Sequence, residues 1–381
     1  MRVVIDATSV GSGLGGDETM ICGVLRGLAE VARPADAIVV LASEPDLLPV
    51  EIHSHPAMTV VRQRRRGGPV HFGRDLGRAV AALDPVPDAV FSVTHAPLRT
   101  RVPVALMVQD LSFHHRPDFY PPIERARLRT VVPRQLRSAG AVLTVSDHAR
   151  DDLVRSFDLD RDRVFTVPNS IAPATPVAGA ALERGRAWLA ERGVTGPFVV
   201  YLGNLHPRKN VARAIRAFTD VITSDPSLAD HQFVIAGARW FSGDEEERAA
   251  ADAPAGSIRF LGRVDDEQRD LLLQEAQALV YVSMFEGFGL PPLEAMARGT
   301  AVVAADATSI PEVCGDAAVL VDPLDTAAIA DGLRRVLVDE SLRRALVEAG
   351  ARRVAHYSSE RTGRAALAAF DALSRTEVLA R

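Results

Sequence analysis

The sequence predicts an α/β protein built on parallel sheets covered by helices on both faces, and three observations predict it. Short apolar runs alternate with amphipathic helical stretches from end to end, the pattern of strands buried on both sides. The alternation comes as two series, separated by an Ala-, Pro- and Gly-rich stretch at 168–197 that carries one helix-like segment at 182–192. At 47% hydrophobic and 24% charged, the 381 residues hold enough apolar material for more than one core. Two Rossmann-like domains in tandem are therefore expected, with ligands at the carboxyl ends of the strands and the crevice between the domains as the site.

In the first series, strands are expected at 2–5, 37–41, 58–61, 88–91, 102–108, 141–145 and 164–167. Helices fall between them at about 18–32, 72–83, 121–138 and 147–157. The last of these opens on Ser146 and Asp147, a serine cap followed by an acidic first turn. In the second series, strands are expected at 198–202, 232–236, 258–261, 278–283, 301–304 and 319–321. Beyond Asp325 the pattern is helical to the end.

Composition narrows the function. The net charge of -5 gives no basic face for a phosphate backbone, so nucleic acid is not an expected partner. No apolar run reaches the roughly 18 residues needed to span a bilayer and no signal-peptide pattern opens the chain, so a cytoplasmic protein is expected. Cys22 and Cys314 are far apart and read as buried small hydrophobes rather than a disulfide or zinc pair. The ten histidines show no metal-ligand spacing, and no metal is expected. Among the 44 cations, 43 are arginine and one, Lys209, is lysine.

Three glycine-bearing segments follow strands. In FEGFGLPPLE, Glu286 and Glu294 bracket Gly287, Gly289 and Pro291-Pro292. Exposed backbone N–H groups and a helix starting at the prolines favour an oxygen-rich ligand, and two carboxylates suit a ligand with two diols. In LGNLHPRKN, the turn at Gly203 and Asn204 precedes Arg208 and Lys209 at a helix start, a cradle for a diphosphate or else a solvated basic pair. A lysine is a compact point charge that enters sites where a planar guanidinium clashes. In GSGLGG, Gly15 and Gly16 belong to a loop that lets backbone approach a phosphate or reacting sugar, or to a plain surface loop; a dinucleotide fingerprint is disfavoured by its distance from the strand. Asp110, His114 and His115 either act on an acceptor or are loop residues satisfied locally. Arg62, Arg64, Arg65 and Arg66 form a solvated loop, or bind an anionic acceptor or lipid headgroups.

These residues match something known. The stretch EGFGLPPLEAMARGTAVVAADATSIPEVCGDAAVLVDP resembles the E-x7-E region of the retaining GT-B glycosyltransferases of family 4, nearest to the bacterial mannosyltransferase B-like group. The likeness extends through VIDATSVGSGLGG, VQDLSFHHRPDFY, VLTVSDHARDDL, VPNSI and YLGNLHPRKNVARAIRAF. It implies a GT-B architecture: an acceptor-side domain at 1–168 joined by a returning C-terminal helix at 361–381, a donor domain at 169–360, and sheets facing across a central cleft. It implies that Glu286 meets donor-sugar hydroxyls, with Phe288, Gly289 and Leu290 around that sugar, and that Glu294 holds the ribose. Arg208 and Lys209 correspond to the pair neutralising the diphosphate, Gly15 and Gly16 to the loop near the phosphates, Gly203 and Asn204 to donor-side backbone, and Arg263 and Val264 to base contacts.

The reaction so implied moves a hexose, mannose favoured, from GDP-mannose, UDP-glucose or a dTDP-sugar to a saccharide, lipid-linked or small-molecule acceptor. Fixed cations stabilise the leaving group without a metal or cofactor, and stereochemistry is retained. Two departures stand out. Gln109 precedes Asp110 where the family commonly has histidine, so His114 or His115 takes over, or no imidazole is needed, or activity is weakened. Asp17 and Glu18 make the glycine segment acidic and suit a polar or amine-bearing acceptor. The alternatives are a sugar-nucleotide-binding protein with weak or lost transfer, and a phosphorylase carrying pyridoxal phosphate on Lys209. A peripheral place on an anionic membrane, through the four arginines, is a further expectation.

Overall fold

The computed structural model describes residues 1–380 except Leu14, Arg65, 67–69, Pro173 and 240–243, with side chains in the last helix only as far as Leu373. The chain divides into two units, Met1–Ala172 with Tyr357–Arg381, and Pro173–His356.

The first unit holds β1 (Arg2–Asp6), β2 (Ala37–Ala42), β3 (Met58–Arg62), β4 (Ala89–Val93), β5 (Val104–Met107), β6 (Ala141–Thr144) and β7 (Val164–Thr166) in one sheet of order β3-β2-β1-β4-β5-β6-β7. Every pairing is parallel. The apolar runs have the composition such a sheet demands: all five residues of β4 and all four of β5 and β6 are buried. Helices fill the crossovers, and Ser146 caps the helix Asp147–Phe157 by accepting the Ala149 N–H at 3.1 Å.

The last helix, Ser359–Ala380, belongs to this unit and lies against the helix Gly15–Val31. A Cβ on Gly27 would stand 2.2 Å from the Ser359 carbonyl oxygen, and one on Gly363 would stand 2.1 Å from that of Gly27. Glycine at both positions is what lets the two backbones touch. Arg33 Nη2 meets Asp371 Oδ1 at 2.9 Å, and Thr362 Oγ1 donates to the Pro168 carbonyl at 2.7 Å. The tail is thus fixed by close packing, an ion pair and a hydrogen bond.

The second unit holds β8 (Phe198–Leu202), β9 (Gln232–Ala236), β10 (Ile258–Gly262), β11 (Ala278–Tyr281), β12 (Ala301–Ala305) and β13 (Val319–Val321), in the order β10-β9-β8-β11-β12-β13 and again parallel throughout. The order reverses between β8 and β11. Their pairing covers only Val199 with Ala278 and Val200 with Leu279, so the segments leaving both carboxyl ends emerge side by side.

Several expectations need correction. The first helix starts at Gly15, three residues before the expected position, because the acids Asp17 and Glu18 sit well in its first turn. The expected helix at 72–83 opens as a π-turn, His71–Asp75, before Leu76–Ala81. The helix at 182–192 runs Gly179–Glu191. Cys314 is buried, and burial raises its thiol to about 12, but Cys22 is only half-buried. No described helix is long and apolar enough to cross a membrane.

Candidate functional site

The segments after β8 and β11 carry the lysine and the first glutamate, 77 positions apart in sequence, and the reversal of strand order brings them together. Glu286 is 6% exposed. Its Oε2 meets Arg208 Nη1 at 2.7 Å, and its Oε1 meets Lys209 Nζ at 2.5 Å. Tyr281, the last residue of β11, donates its hydroxyl to Glu286 Oε1 at 2.9 Å and accepts from Lys209 Nζ at 2.6 Å. Burial pushes the Glu286 carboxyl up, but the charges of Arg208 and Lys209 outweigh it and hold the group well below the usual carboxylate range.

Local structure explains the placement. Arg208 and Lys209 end a 3-10 turn, Pro207–Lys209, started by Pro207 after the His206 imidazole accepts the Arg208 N–H. Asn210 then takes a left-handed conformation at φ 60°, which reverses the chain into the helix Val211–Ser224. Its side-chain amide donates to Val282 O at 3.1 Å and Pro323 O at 2.7 Å, fastening the turn to β11's exit. Met284 N and Ser283 Oγ both donate to the Arg208 carbonyl, at 2.7 and 3.1 Å. Arg208 Nη1 also donates to Phe285 O at 2.7 Å.

From the other side, Thr308 Oγ1 accepts the Glu286 N–H at 3.0 Å, and Ser309 Oγ donates to the carbonyls of Glu286 and Phe288 at 2.9 and 3.0 Å. Thr308 does this from φ 52°, an unusual conformation for a β-branched residue and a local concentration of strain. Phe288 is buried, and Gly289, at φ 107°, starts the helix Leu290–Ala297. This conformation favours glycine, and a Cβ there would lie 2.5 Å from Ile310 Cδ1 and push that side-chain end aside.

Glu294 lies in that helix, with Arg269 Nη1 at 3.9 Å from its Oε1. Burial pushes its carboxyl above the ordinary value, more than Arg269 and Arg298 pull it down. Gly203 follows β8 at φ 138°, and the Asn204 carbonyl accepts the Tyr201 hydroxyl at 3.0 Å. Arg263 is exposed and Val264 half-buried, just past β10.

The first unit carries the remaining expected residues, and the two glycines expected in a loop open a helix instead. Gly15 and Gly16 are helical and exposed, with open space around each Cβ position. Gln109, after β5, donates its amide to Asp17 Oδ1 at 2.5 Å, and Ser12 Oγ donates to Glu18 Oε1 at 3.4 Å. Asp17 and Glu18 thus each have a partner within the protein. Asp110 accepts the N–H and hydroxyl of Ser112, both local contacts. His115 pairs with Asp152 at 2.8 Å and His114 rests on Phe157, 5.2 Å between ring centres, so the two imidazoles tie the helix Ser112–His115 to Asp147–Phe157. Arg62 reaches Asp46 at 3.8 Å and Arg66 reaches Asp75 at 3.7 Å; Arg64 is exposed, and Arg65 lies outside the described residues. A hollow of about 540 Å³ is lined by Thr8, Gly11, Ser12, Ser43, Arg62 and Arg64. Beneath it, Asp6, Thr8 and His71 form a buried cluster, with Thr8 Oγ1 donating to Asp6 Oδ1 at 2.6 Å and His71 Nε2 at 2.9 Å from Asp6 Oδ2.

Sequence reasoning missed Tyr281, Thr308 and Ser309. One signal for Tyr281 was available: the chain has four tyrosines, and a phenol inside the apolar run ALVYV needs a buried partner. Thr308 gave none, since nothing local marks a threonine for positive φ.

Residues 14–175 match the family described as Glycosyltransferase Family 4, and residues 190–353 match Glycosyl transferases group 1. The chain is 33% identical over 229 residues to the O-antigen chain mannosyltransferase B of Escherichia coli, covering 57% of this chain and 56% of that protein. It is 35% identical over 191 residues to the D-inositol 3-phosphate glycosyltransferase of Salinispora arenicola, covering 46% of this chain and 42% of that protein. The alignments therefore span about half the length of these curated relatives. Among solved structures, HepE of Anabaena in complex with UDP and glucose superposes with a TM-score of 0.68 at 15% identity, over 96% of this chain and 97% of that one. Sucrose-phosphate synthase of Thermosynechococcus elongatus gives 0.72 at 18% identity over 100% of both. At these identities the structural likeness establishes the shared α/β two-domain fold.

Proposed function

Because the chain belongs to the glycosyltransferases of family 4 and group 1, we propose that it moves a hexose, mannose first among candidates, from a nucleoside diphosphate sugar to an acceptor hydroxyl. The observation that carries the proposal is the buried unit of Arg208, Lys209 and Glu286 at the reversal of the second sheet. Two cations against one carboxylate leave a net positive charge, and the helix Val211–Ser224 begins immediately after them. A breaking anomeric C–O bond puts negative charge on a diphosphate, which this charge and helix terminus stabilise. Glu286 meets the hexose, with Phe288, Gly289 and Leu290 around it. Glu294 meets the ribose, Arg263 and Val264 the base, and Gly203 and Asn204 the donor-side backbone.

Retention and independence of a metal or other cofactor belong to the same proposal: protein cations handle the leaving group, and that group takes the acceptor's proton. Gly15 and Gly16 approach the donor phosphates, and on the acceptor side we place Gln109 and Asp110, with the hollow between Ser43, Arg62 and Arg64 suited to an anionic or hydroxyl-rich acceptor. The acceptor is a saccharide, a lipid-linked sugar or a small polyol. A cytoplasmic protein touching an anionic membrane through Arg62, Arg64 and Arg66 accords with a lipid-linked acceptor, and co-sedimentation with phosphatidylserine vesicles at low and high salt tests that contact.

A thermal-shift and turnover screen across GDP-mannose, UDP-glucose and dTDP-glucose tests the main reading. One donor stabilising the protein and being transferred or slowly hydrolysed supports it; stabilisation by none removes it. The second reading, a donor-binding protein without transfer, is favoured by one observation: Gln109, which stands in the place of a titratable histidine, is engaged with Asp17. Tight donor binding with neither transfer nor hydrolysis is its signature.

A further inference from the structure

We propose that Tyr281 is a positioning residue for hexose transfer: its hydroxyl seats the Lys209 ammonium against Glu286, in a place fitted to a lysine and closed to an arginine. The inference rests on the donor-site reading above and adds a third member to it. Three atoms form a closed triangle: Lys209 Nζ to Tyr281 Oη at 2.6 Å, Lys209 Nζ to Glu286 Oε1 at 2.5 Å, and Tyr281 Oη to Glu286 Oε1 at 2.9 Å. The hydroxyl uses its one proton on the carboxylate and a lone pair on the ammonium, so neither partner moves without the other.

The state of the phenol suits this task. Burial, and then the Glu286 charge, push its pKa well above the ordinary value, so it remains a donor at any working pH. The ring stacks on Tyr201 with centres 6.2 Å apart and has Lys209 Nζ 5.0 Å from its own centre; phenylalanine preserves both contacts, so Tyr281→Phe removes the hydroxyl alone. A point-like ammonium satisfies both oxygens at these distances, whereas a planar guanidinium spreads its donors over a wider fork and must displace one of them. The triangle therefore gives a physical reason for a lysine at a position where this arginine-rich chain has its only one.

The test is a double-mutant cycle of Tyr281→Phe and Lys209→Arg, read as kcat and donor KM, with melting temperature as a control. Tyr281→Phe is expected to melt close to wild type and to lose about tenfold in kcat with donor KM changed less than about threefold, the pattern of an interaction that matters in the transition state. The double variant is expected to be no slower than Lys209→Arg alone, because both changes break one unit. Should the phenylalanine variant not fold, Tyr281→His keeps a polar hydrogen in the ring and is expected to retain more turnover than Tyr281→Leu. Wild-type kcat in Tyr281→Phe, or losses that multiply in the double variant, would overturn the inference while leaving the donor-site reading intact. A wild-type protein that binds neither GDP nor UDP and transfers nothing would remove both.

Discussion

Lys209 Nζ lies 2.5 Å from Glu286 Oε1 and 2.6 Å from Tyr281 Oη, so the chain's one lysine and the first glutamate of its E-x7-E segment form a single buried unit. The sequence treats them as separate ligand groups, a diphosphate cradle and a sugar-binding carboxylate. Their pairing couples the two tasks. Moving one charge changes the placement of the other.

Replacing Glu286 with glutamine leaves Arg208 and Lys209 without their shared carboxylate, and the expected cost is about 3–5 kcal/mol at neutral pH. The Glu286 pKa is depressed in the folded protein, so its stabilisation is present above the ordinary value of 4.5 and is lost as pH falls below it. Urea unfolding of wild type and Glu286→Gln checks this: the gap between midpoints should be wide at pH 7 and shrink below about pH 4.5. Equal midpoints at pH 7 would contradict it.

His95 gives a milder acid sensitivity in the first unit. Burial, with Arg127 nearby, lowers its pKa to about 4, so the folded protein holds it neutral while the unfolded chain protonates near 6.5. A depressed base stabilises above the unfolded pKa, and that contribution declines as pH drops from 6.5 toward 4. Between pH 7.5 and 5 the wild type should lose about 2 kcal/mol that His95→Leu does not lose, read from denaturant midpoints of the two proteins.

At the crossing of the first and last helices, Gly27→Ala places a methyl 2.2 Å from the Ser359 carbonyl oxygen, a backbone atom that cannot rotate away. The helices must separate, and a loss of about 2 kcal/mol or more is expected in thermal unfolding of the first unit. Gly16→Ala, on the same helix in open space, serves as the comparison and should be close to neutral. Similar melting for both variants would show that the close approach does not matter.

Strand periodicity made both sheets legible, because strands buried on both faces must be continuously apolar, and β4 to β6 are. The glycine at 289 and the prolines after it were legible for a similar reason: each residue type fits one backbone task. Strand order was not legible from periodicity, and strand order is what sets Lys209 beside Glu286 across 77 residues. Nor was the supporting layer. Thr308 and Ser309 act through hydrogen bonds to a neighbouring loop, one at Thr308 and two at Ser309, and such contacts leave no periodic trace. In the first unit the contact of the Gln109 amide with Asp17 was not legible either, because the amide comes from a strand end 92 positions away.

The most direct measurement is steady-state turnover of wild type, Lys209→Arg and Lys209→Ala with the nucleotide sugar that stabilises the protein best. The account predicts transfer or slow donor hydrolysis by wild type, a loss of about 100-fold or more in kcat for Lys209→Ala, and nearly as large a loss for Lys209→Arg. Full turnover by Lys209→Ala, or tight donor binding by a wild type that neither transfers nor hydrolyses, would contradict it.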